Sequence, residues 1–393
     1  MNTELNCFTQ KPMVHVKREV CSVCNSVMTH VNGDTKASGG SHTDQSCRIW
    51  LLFALFAVLC SIEVFAADSL PSQHADLSET SVSGVSSGGY MAVQFHVAYS
   101  GLVSGVGVIA GGPYNCAGGN VWRATHNCMH PDGANPVPDV GDLVARTDRL
   151  AASGEIDDPS HLAGAKVWLF SGTRDEIISK SVMDAVEKYY AHYVTHGRIF
   201  YKRDLDAGHG MIVDDSTAEP CPSNADPYIN HCSYDAAGHL LKQIYGDLNP
   251  PSSQLSGTFT EYDQREFLNG DAYSHSMRDS GFVYVPRACR SNRCRVHVAF
   301  HGCLQDYDTI GDQFYKKAGY NRWADSNNLI VMYPQTIARF GLNWKTFWTL
   351  SYVWNPNACW DWWGYDSPDY YKKSGAQMSA IKKMLERLAL AAR

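Results

Sequence analysis

The chain has no long run of Lys or Arg, and its apolar stretches fall short of the about 20 residues that a membrane-spanning helix needs. It carries 33 Lys and Arg against 40 Asp and Glu, a formal net charge of −7. Phosphate binding demands clustered cations, so the charge pattern argues against a nucleic-acid surface. Charged residues of either sign make up only 19% of the chain, which suits an uncharged polymer or a small neutral substrate better. What the sequence does have is 11% aromatics, 32 Gly and 10 Trp in 393 residues. That is the make-up of a globular enzyme with a sizeable core and many loops, and not of a disordered or fibrous chain.

A targeting signal lies inside the chain. Arg48 precedes the apolar stretch Ile49–Cys60, and Val64-Phe65-Ala66-Ala67 follows. A positive flank, a short apolar core and small residues before the junction predict a secretory signal cleaved after Ala66. The core is too short for a comfortable span and Glu63 interrupts its far side, so no stable membrane span is expected after cleavage. Leu59 is too large for the residue preceding a lipidated Cys60. Residues 1–66 thus read as leader and signal, and 67–393 as the exported protein, either extracellular or periplasmic. The first 45 residues are polar and without apolar period, either an unusually long leader or sequence upstream of the true start. Cys21 and Cys24 form a CxxC without a second pair, poor support for metal or redox chemistry.

Beyond Ala66 stand eight cysteines: Cys116, Cys128, Cys221, Cys232, Cys289, Cys294, Cys303 and Cys359. An even set in an exported chain predicts disulfides. Neighbours suggest Cys116 with Cys128, Cys221 with Cys232 and Cys289 with Cys294, leaving Cys303 and Cys359 as a long-range staple. Eight cysteines allow 105 connectivities, so this pairing is one proposal among them. None of these pairs has the tight CxxC spacing of a structural zinc site.

Strands and helices alternate. A polar strand ends near Gly84, a helix covers 88–100, and Val103–Ala110 is a buried strand. Lys166–Phe170 and Arg198–Lys202 are further strands, with a helix over 181–192 between them. After the break Asn249-Pro250-Pro251-Ser252-Ser253 come strand-like 282–285, 295–300 and 329–333, and a surface helix over 376–391. The pattern predicts a mostly parallel sheet covered by helices on both faces, with the Pro-Pro segment a connection inside one domain.

Gly84-Val85-Ser86-Ser87-Gly88 matches G-x-S-x-G, a sharp strand-to-helix turn that lifts a serine hydroxyl clear of a sheet. A hydroxyl needs a base, and the base an orienting acid. Asp175 follows one buried strand and His209 follows the next, in the order Ser, Asp, His of the α/β-hydrolase fold. Glu176 and Asp206 are rival acids, the first one residue past the tight turn and the second too near His209. The oxyanion hole needs two amides. Ser87 supplies one. The usual His-Gly loop does not precede Ser86; Val296–Phe300 instead runs into His301-Gly302-Cys303, which implies a circular permutation with the Cys303 amide as second donor. His301 could be a metal ligand or second base, but a structural role in the loop fits better. Aromatics gather late in the chain, at Trp344, Trp348, Trp354, Trp360, Trp362, Trp363 and Tyr365; core packing accounts for most. Trp360 lies beside the polar turn Asn355–Cys359, where an aromatic wall would suit an apolar ester. Trp360, Asn355 and Tyr90 are the candidate substrate contacts.

Together, the stretches Ser81–Ala92, Ala110–Tyr114, His297–Gln305, Gly319–Asp325 and Asn355–Trp362 resemble the secreted poly(3-hydroxybutyrate) depolymerases of the single-domain, circularly permuted kind. The resemblance covers essentially all of 67–393. It implies Ser86, Asp175 and His209 as triad, the amides of Ser87 and Cys303 as oxyanion hole, and Trp360 lining a crevice for a single polymer strand. The leader is outside the family pattern, and nothing looks like the separate substrate-binding domain of multidomain depolymerases. The expected protein is a monomeric serine esterase acting on a polyester polymer or oligomer, without cofactor or metal. The competing expectations are an acetyl or feruloyl carbohydrate esterase and an inactive polymer-binding protein.

Overall fold

The computed structural model describes residues 67–346 and 349–391. The predicted signal and the Cys21–Cys24 pair lie outside them. Eight strands form one sheet: β1 (Asp76–Val85), β2 (Val103–Ile109), β3 (Lys166–Phe170), β4 (Ile199–Lys202), β8 (Thr258–Asp263), β9 (Ser280–Val285), β10 (Arg295–Phe300) and β11 (Leu329–Tyr333). The remaining strands are the short β5 (Met211–Val213), β6 (Glu219–Pro220) and β7 (Ile229–His231), and a separate antiparallel ribbon of β12 (Arg339–Thr346) and β13 (Thr349–Asn355).

The main sheet runs β4-β3-β2-β1-β10-β11-β9-β8, and every pair from β4 to β11 is parallel. β8 and β9 form an antiparallel edge. Strands from both sides of the Pro250-Pro251 break therefore share one sheet. The strand β1, which leads into the serine elbow, is central, and its neighbour β10, which in the usual chain order would come earlier, comes after it. The circular permutation implied by the late His-Gly-Cys loop is thus present in the topology. The chain passes close to itself at this junction: the Gln73 and Ala75 amides donate to the Leu388 carbonyl at 3.0 and 2.9 Å.

Central strands buried on both faces need apolar or small residues, and β2 (VSGVGVI) and β10 (RVHVAF) meet that need. The helix Ser87–Ala98, apolar on nearly every side, is buried throughout against β1, β2 and β10. The more polar helices Lys180–Tyr193 and Ala376–Ala389 bury one stripe each. Among the described residues no helix is long and apolar enough to cross a membrane. The four disulfides are Cys116–Cys128, Cys221–Cys232, Cys289–Cys294 and Cys303–Cys359.

Buried polar side chains are paired where β1 meets β10. His297 on β10 bonds the Ser81 hydroxyl through Nδ1 at 2.6 Å and the Ser83 hydroxyl through Nε2 at 2.7 Å. Those hydroxyls in turn meet Tyr245 at 2.6 Å and Tyr320 at 2.7 Å. Burial pushes the His297 pKa down to about 3, so the ring stays neutral in the native state. In the unfolded chain it would protonate near its ordinary value of about 6.5, so its contribution is present above that pH and declines as pH falls toward 3. A His297→Asn variant should be less stable at pH 8. The gap should narrow by about 1.4 kcal/mol per pH unit between pH 6 and 4.5. Denaturant melts of both proteins across that range check this; a gap independent of pH would refute it.

Candidate active site

Ser86 sits at the junction between β1 and the following helix with φ 55° and ψ −123°, outside the regions comfortable for a residue with a side chain. Steric crowding explains the flanking glycines. A Cβ on Gly84 would lie 2.2 Å from the Gly88 carbonyl oxygen, and one on Gly88 would lie 2.4 Å from the carbonyl oxygens of Phe300 and His301. The second contact joins the elbow directly to the end of β10. Ser86 occupies the N-cap position, yet its side chain makes no capping hydrogen bond. Its main chain is fixed instead, by Ser86 N–H to Ile109 O at 2.9 Å and Tyr90 N–H to Ser86 O at 3.0 Å.

The predicted acid and base meet. His209 Nδ1 lies 2.9 and 3.1 Å from the two carboxylate oxygens of Asp175. Both side chains are almost wholly buried, at 5% and 2% exposure. Burial works to raise the Asp175 pKa. The His209 charge and hydrogen bond, with the amides of Ile178 and Ile177, outweigh it and hold the carboxyl below its usual range. The rival Asp206 is exposed and bonds Arg174 at 2.7 Å and Thr173 at 3.1 Å. Sequence reasoning missed Asn224, whose Oδ1 accepts from the amides of His209 (2.8 Å) and Glu176 (3.2 Å). Its Nδ2 donates to the Arg174 carbonyl at 2.9 Å, so one amide side chain ties the acid loop to the base loop. Nothing in Cys221-Pro222-Ser223-Asn224 marks it out in the sequence.

The His301-Gly302-Cys303 turn packs on the elbow: a Cβ on Gly302 would lie 3.3 Å from Ser86 Cβ. Within this turn the Gly302 amide donates to Gln305 Oε1 at 2.8 Å, Leu304 to Asn357 O at 2.8 Å and Gln305 to Gly302 O at 3.3 Å. The Cys303 amide has no such partner among the described residues. The Ser87 amide is in the first helical turn, where no intrahelical acceptor exists. Gln305, buried and also missed, donates through Nε2 to the carbonyls of Pro227 (3.1 Å) and Tyr228 (2.9 Å), and the Tyr228 ring stands edge-on to His209. His301 is fully buried and burial pushes its pKa down to about 4. Its Nδ1 is 2.7 Å from Gly302 O and so carries the proton, while Nε2 accepts from the Thr336 amide at 3.2 Å. Both ring nitrogens serve the loop.

The three expected substrate contacts are all buried. Trp360 has 0% exposure, and its indole N–H donates to His301 O at 3.1 Å while its own amide lies 3.4 Å from the Ser87 hydroxyl. Asn355 closes a loop onto Cys359 with bonds of 2.9 and 3.0 Å. The Tyr90 hydroxyl donates to Cys128 O, and its ring stacks on Trp362. Their polar groups are engaged inside the protein. Trp362 is likewise buried, whereas Trp354 is 46% exposed.

The sheet order, the serine elbow and the buried His–Asp pair define the class, an α/β hydrolase. No protein-family model matches the chain. It is 42% identical over 338 residues to the poly(3-hydroxybutyrate) depolymerase of Delftia acidovorans, covering 84% of this chain and 64% of that protein. It is 35% identical over 329 residues to the polyhydroxybutyrate depolymerase of Talaromyces funiculosus, covering 82% and 93%. Two solved structures align with TM-score 0.73 and 34% identity, over 82% of this chain and 98% of theirs. One is the PHB depolymerase from Penicillium funiculosum and the other a Ser-to-Ala PHB depolymerase complexed with an R3HB trimer. The chain belongs to the poly(3-hydroxybutyrate) depolymerase family.

Burial of Trp360 gives a testable distinction. Trp360→Phe removes the bond to His301 O and some packing, which should lower stability by about 1–3 kcal/mol. KM for a soluble 3-hydroxybutyrate oligomer should stay within about twofold, since uniform substrate binding is not what was removed. A large KM increase at unchanged stability would instead make Trp360 a substrate contact.

Proposed function

We propose that this protein is an exported serine esterase that hydrolyses poly(3-hydroxybutyrate) or closely related polyesters, with residues 67–393 as its catalytic domain. The observation that carries the reading is the His209–Asp175 pair at 2.9 Å, set in one sheet with a strained serine elbow whose hydroxyl is not used for capping. Relatives named for this activity over most of the chain support the substrate class. Four disulfides support an oxidising destination.

In the first step His209 Nε2 takes the Ser86 proton as Oγ bonds to the ester carbonyl carbon, and the carbonyl π pair moves onto oxygen. The amides of Ser87 and Cys303 hold that oxyanion. Collapse breaks the C–O bond to the leaving hydroxyl end, which receives the proton from His209, and an acyl-enzyme remains. Water, deprotonated by the same imidazole, then releases the 3-hydroxy acid end and regenerates Ser86. Asp175, held ionised, fixes the imidazole with Nδ1–H toward itself and stabilises the imidazolium. Nothing in this cycle requires a metal or cofactor, and it runs in a single protomer.

Product analysis after incubation with amorphous poly(3-hydroxybutyrate) should show 3-hydroxybutyrate or its short oligomers. Ser86→Ala should lower turnover by at least about 10⁴-fold with an unchanged melting profile. Near-wild-type activity in that variant would remove the nucleophile. Release of acetate or ferulate from plant polysaccharide, with no product from the polyester, would favour the carbohydrate-esterase alternative.

A further inference from the structure

Two positive side chains converge on the loop that leaves β2, and neither is balanced. The disulfide Cys116–Cys128 closes this loop, which contains Gly118 and Gly119 at φ 59° and 78°. Asn120 then caps the helix Val121–Asn127 by accepting from the Arg123 amide at 3.0 Å, which places Arg123 in the first turn. Arg146 comes from a second helix, Val140–Ala152. A Cβ on Gly118 would lie 3.1 Å from Arg146 Nη1 and 3.9 Å from Arg123 Nη1. Both guanidinium groups therefore border the space that the missing side chain leaves. A Cβ on Gly119 would meet nothing within 4 Å, so the next position faces open space.

Among the described residues neither guanidinium hydrogen-bonds an acceptor or lies within ion-pair distance of a carboxylate. Burial and the Arg146 charge hold the Arg123 pKa below its ordinary value, and Tyr370 and Asp142 offset them only in part. Two like charges at one space are unfavourable unless an anion stands between them. The loop itself is tied down: the Tyr370 hydroxyl accepts from the Gly119 amide at 3.2 Å and donates to Asn115 Oδ1 at 2.8 Å. Its place is beside the serine elbow. β1, β2 and β3 are parallel, so this loop leaves the same edge of the sheet as Ser86 and Asp175. Cys128 accepts from the Tyr90 hydroxyl, one turn beyond Ser86 on the serine helix, and the Ser179 amide donates to Met129 O at 2.9 Å.

We propose that Arg123 and Arg146, on either side of Gly118, form a carboxylate site that holds the charged end of a polyester chain while an ester further along it reacts at Ser86. This rests on the depolymerase reading for the identity of the chain. The interior of such a polyester is uncharged, so a pair of cations can act only on its terminal carboxylate. Planar guanidinium forks match the two oxygens of that group. Attack at Ser86 breaks the C–O bond of an ester linkage, and the fragment that leaves takes the proton from His209. That fragment carries both the new hydroxyl and the held carboxylate, so cleavage proceeds from the carboxyl end.

Binding is measured by calorimetry in a Ser86→Ala background at neutral pH, with the linear 3-hydroxybutyrate trimer as free acid and as methyl ester. The acid should bind at least about tenfold more tightly, and its advantage should shrink as salt rises from about 0.05 to 0.5 M. Adding Arg123→Met/Arg146→Met, which keeps the apolar stems, should make the two ligands bind alike with an unchanged thermal unfolding profile. Arg146→Gln alone should already lower the preference by at least about threefold. Equal binding of acid and ester before the arginines are changed overturns the proposal, as does a preference that survives in the methionine pair. Free 3-hydroxybutyrate competing as well as the trimer would overturn the chain-end assignment and make released monomer the occupant. If the arginines hold the acid yet the chain with Ser86 intact cleaves neither trimer nor polymer, the depolymerase reading fails while the carboxylate site stands.

Discussion

The close approach of Gly88 to the carbonyls of Phe300 and His301 is the constraint on which the site depends. It brings the first turn of the serine helix within van der Waals range of a strand more than 200 residues later in the chain. Once those backbones touch, the Gly302 turn lies against Ser86. A single methyl at residue 88 would force the two elements apart and separate Ser86 from the His301-Gly302-Cys303 turn. The cost of the unusual dihedral angles at Ser86, of order 1–3 kcal/mol, is borne by that packing.

Around this contact the structure places fixed links between separate loops. Gln305 joins the His301-Gly302-Cys303 turn to the Pro227–Tyr228 segment beside His209, and Asn224 joins the His209 loop to the Asp175 loop. Cys303–Cys359 closes a 56-residue separation, which constrains the unfolded chain by about 4 kcal/mol in the chain-entropy account. The site is pre-positioned by covalent and amide cross-ties, so little reorganisation is left for the moment of reaction.

Much of this was legible in the residues. Apolar runs such as Lys166–Phe170, Arg295–Phe300 and Leu329–Tyr333 gave strands with the bounds observed, and the late His301-Gly302-Cys303 required the rearranged strand order that the sheet shows. β8 was not legible, because Thr258-Phe-Thr-Glu-Tyr-Asp263 is a half-exposed edge strand without an apolar run. The cross-ties were hidden as well, since Asn224 and Gln305 act through distances in space that no local spacing encodes. Aromatic content misled in both directions. Trp360, beside a polar turn, is fully buried, while Trp354, which fitted core packing, is half exposed. Composition reports that a ring will cover apolar area, but which side of the wall it covers is decided by strand register.

The meeting of Gln73 and Ala75 with Leu388 has an evolutionary and practical corollary. A short peptide could join the two backbone segments there without crossing the molecule. A gene opened at the Pro250-Pro251 connection and sealed across that seam would list the strands in the common hydrolase sequence while leaving every neighbour in place. The rearranged gene order and the ordinary one are, in this architecture, two ways of cutting the same ring.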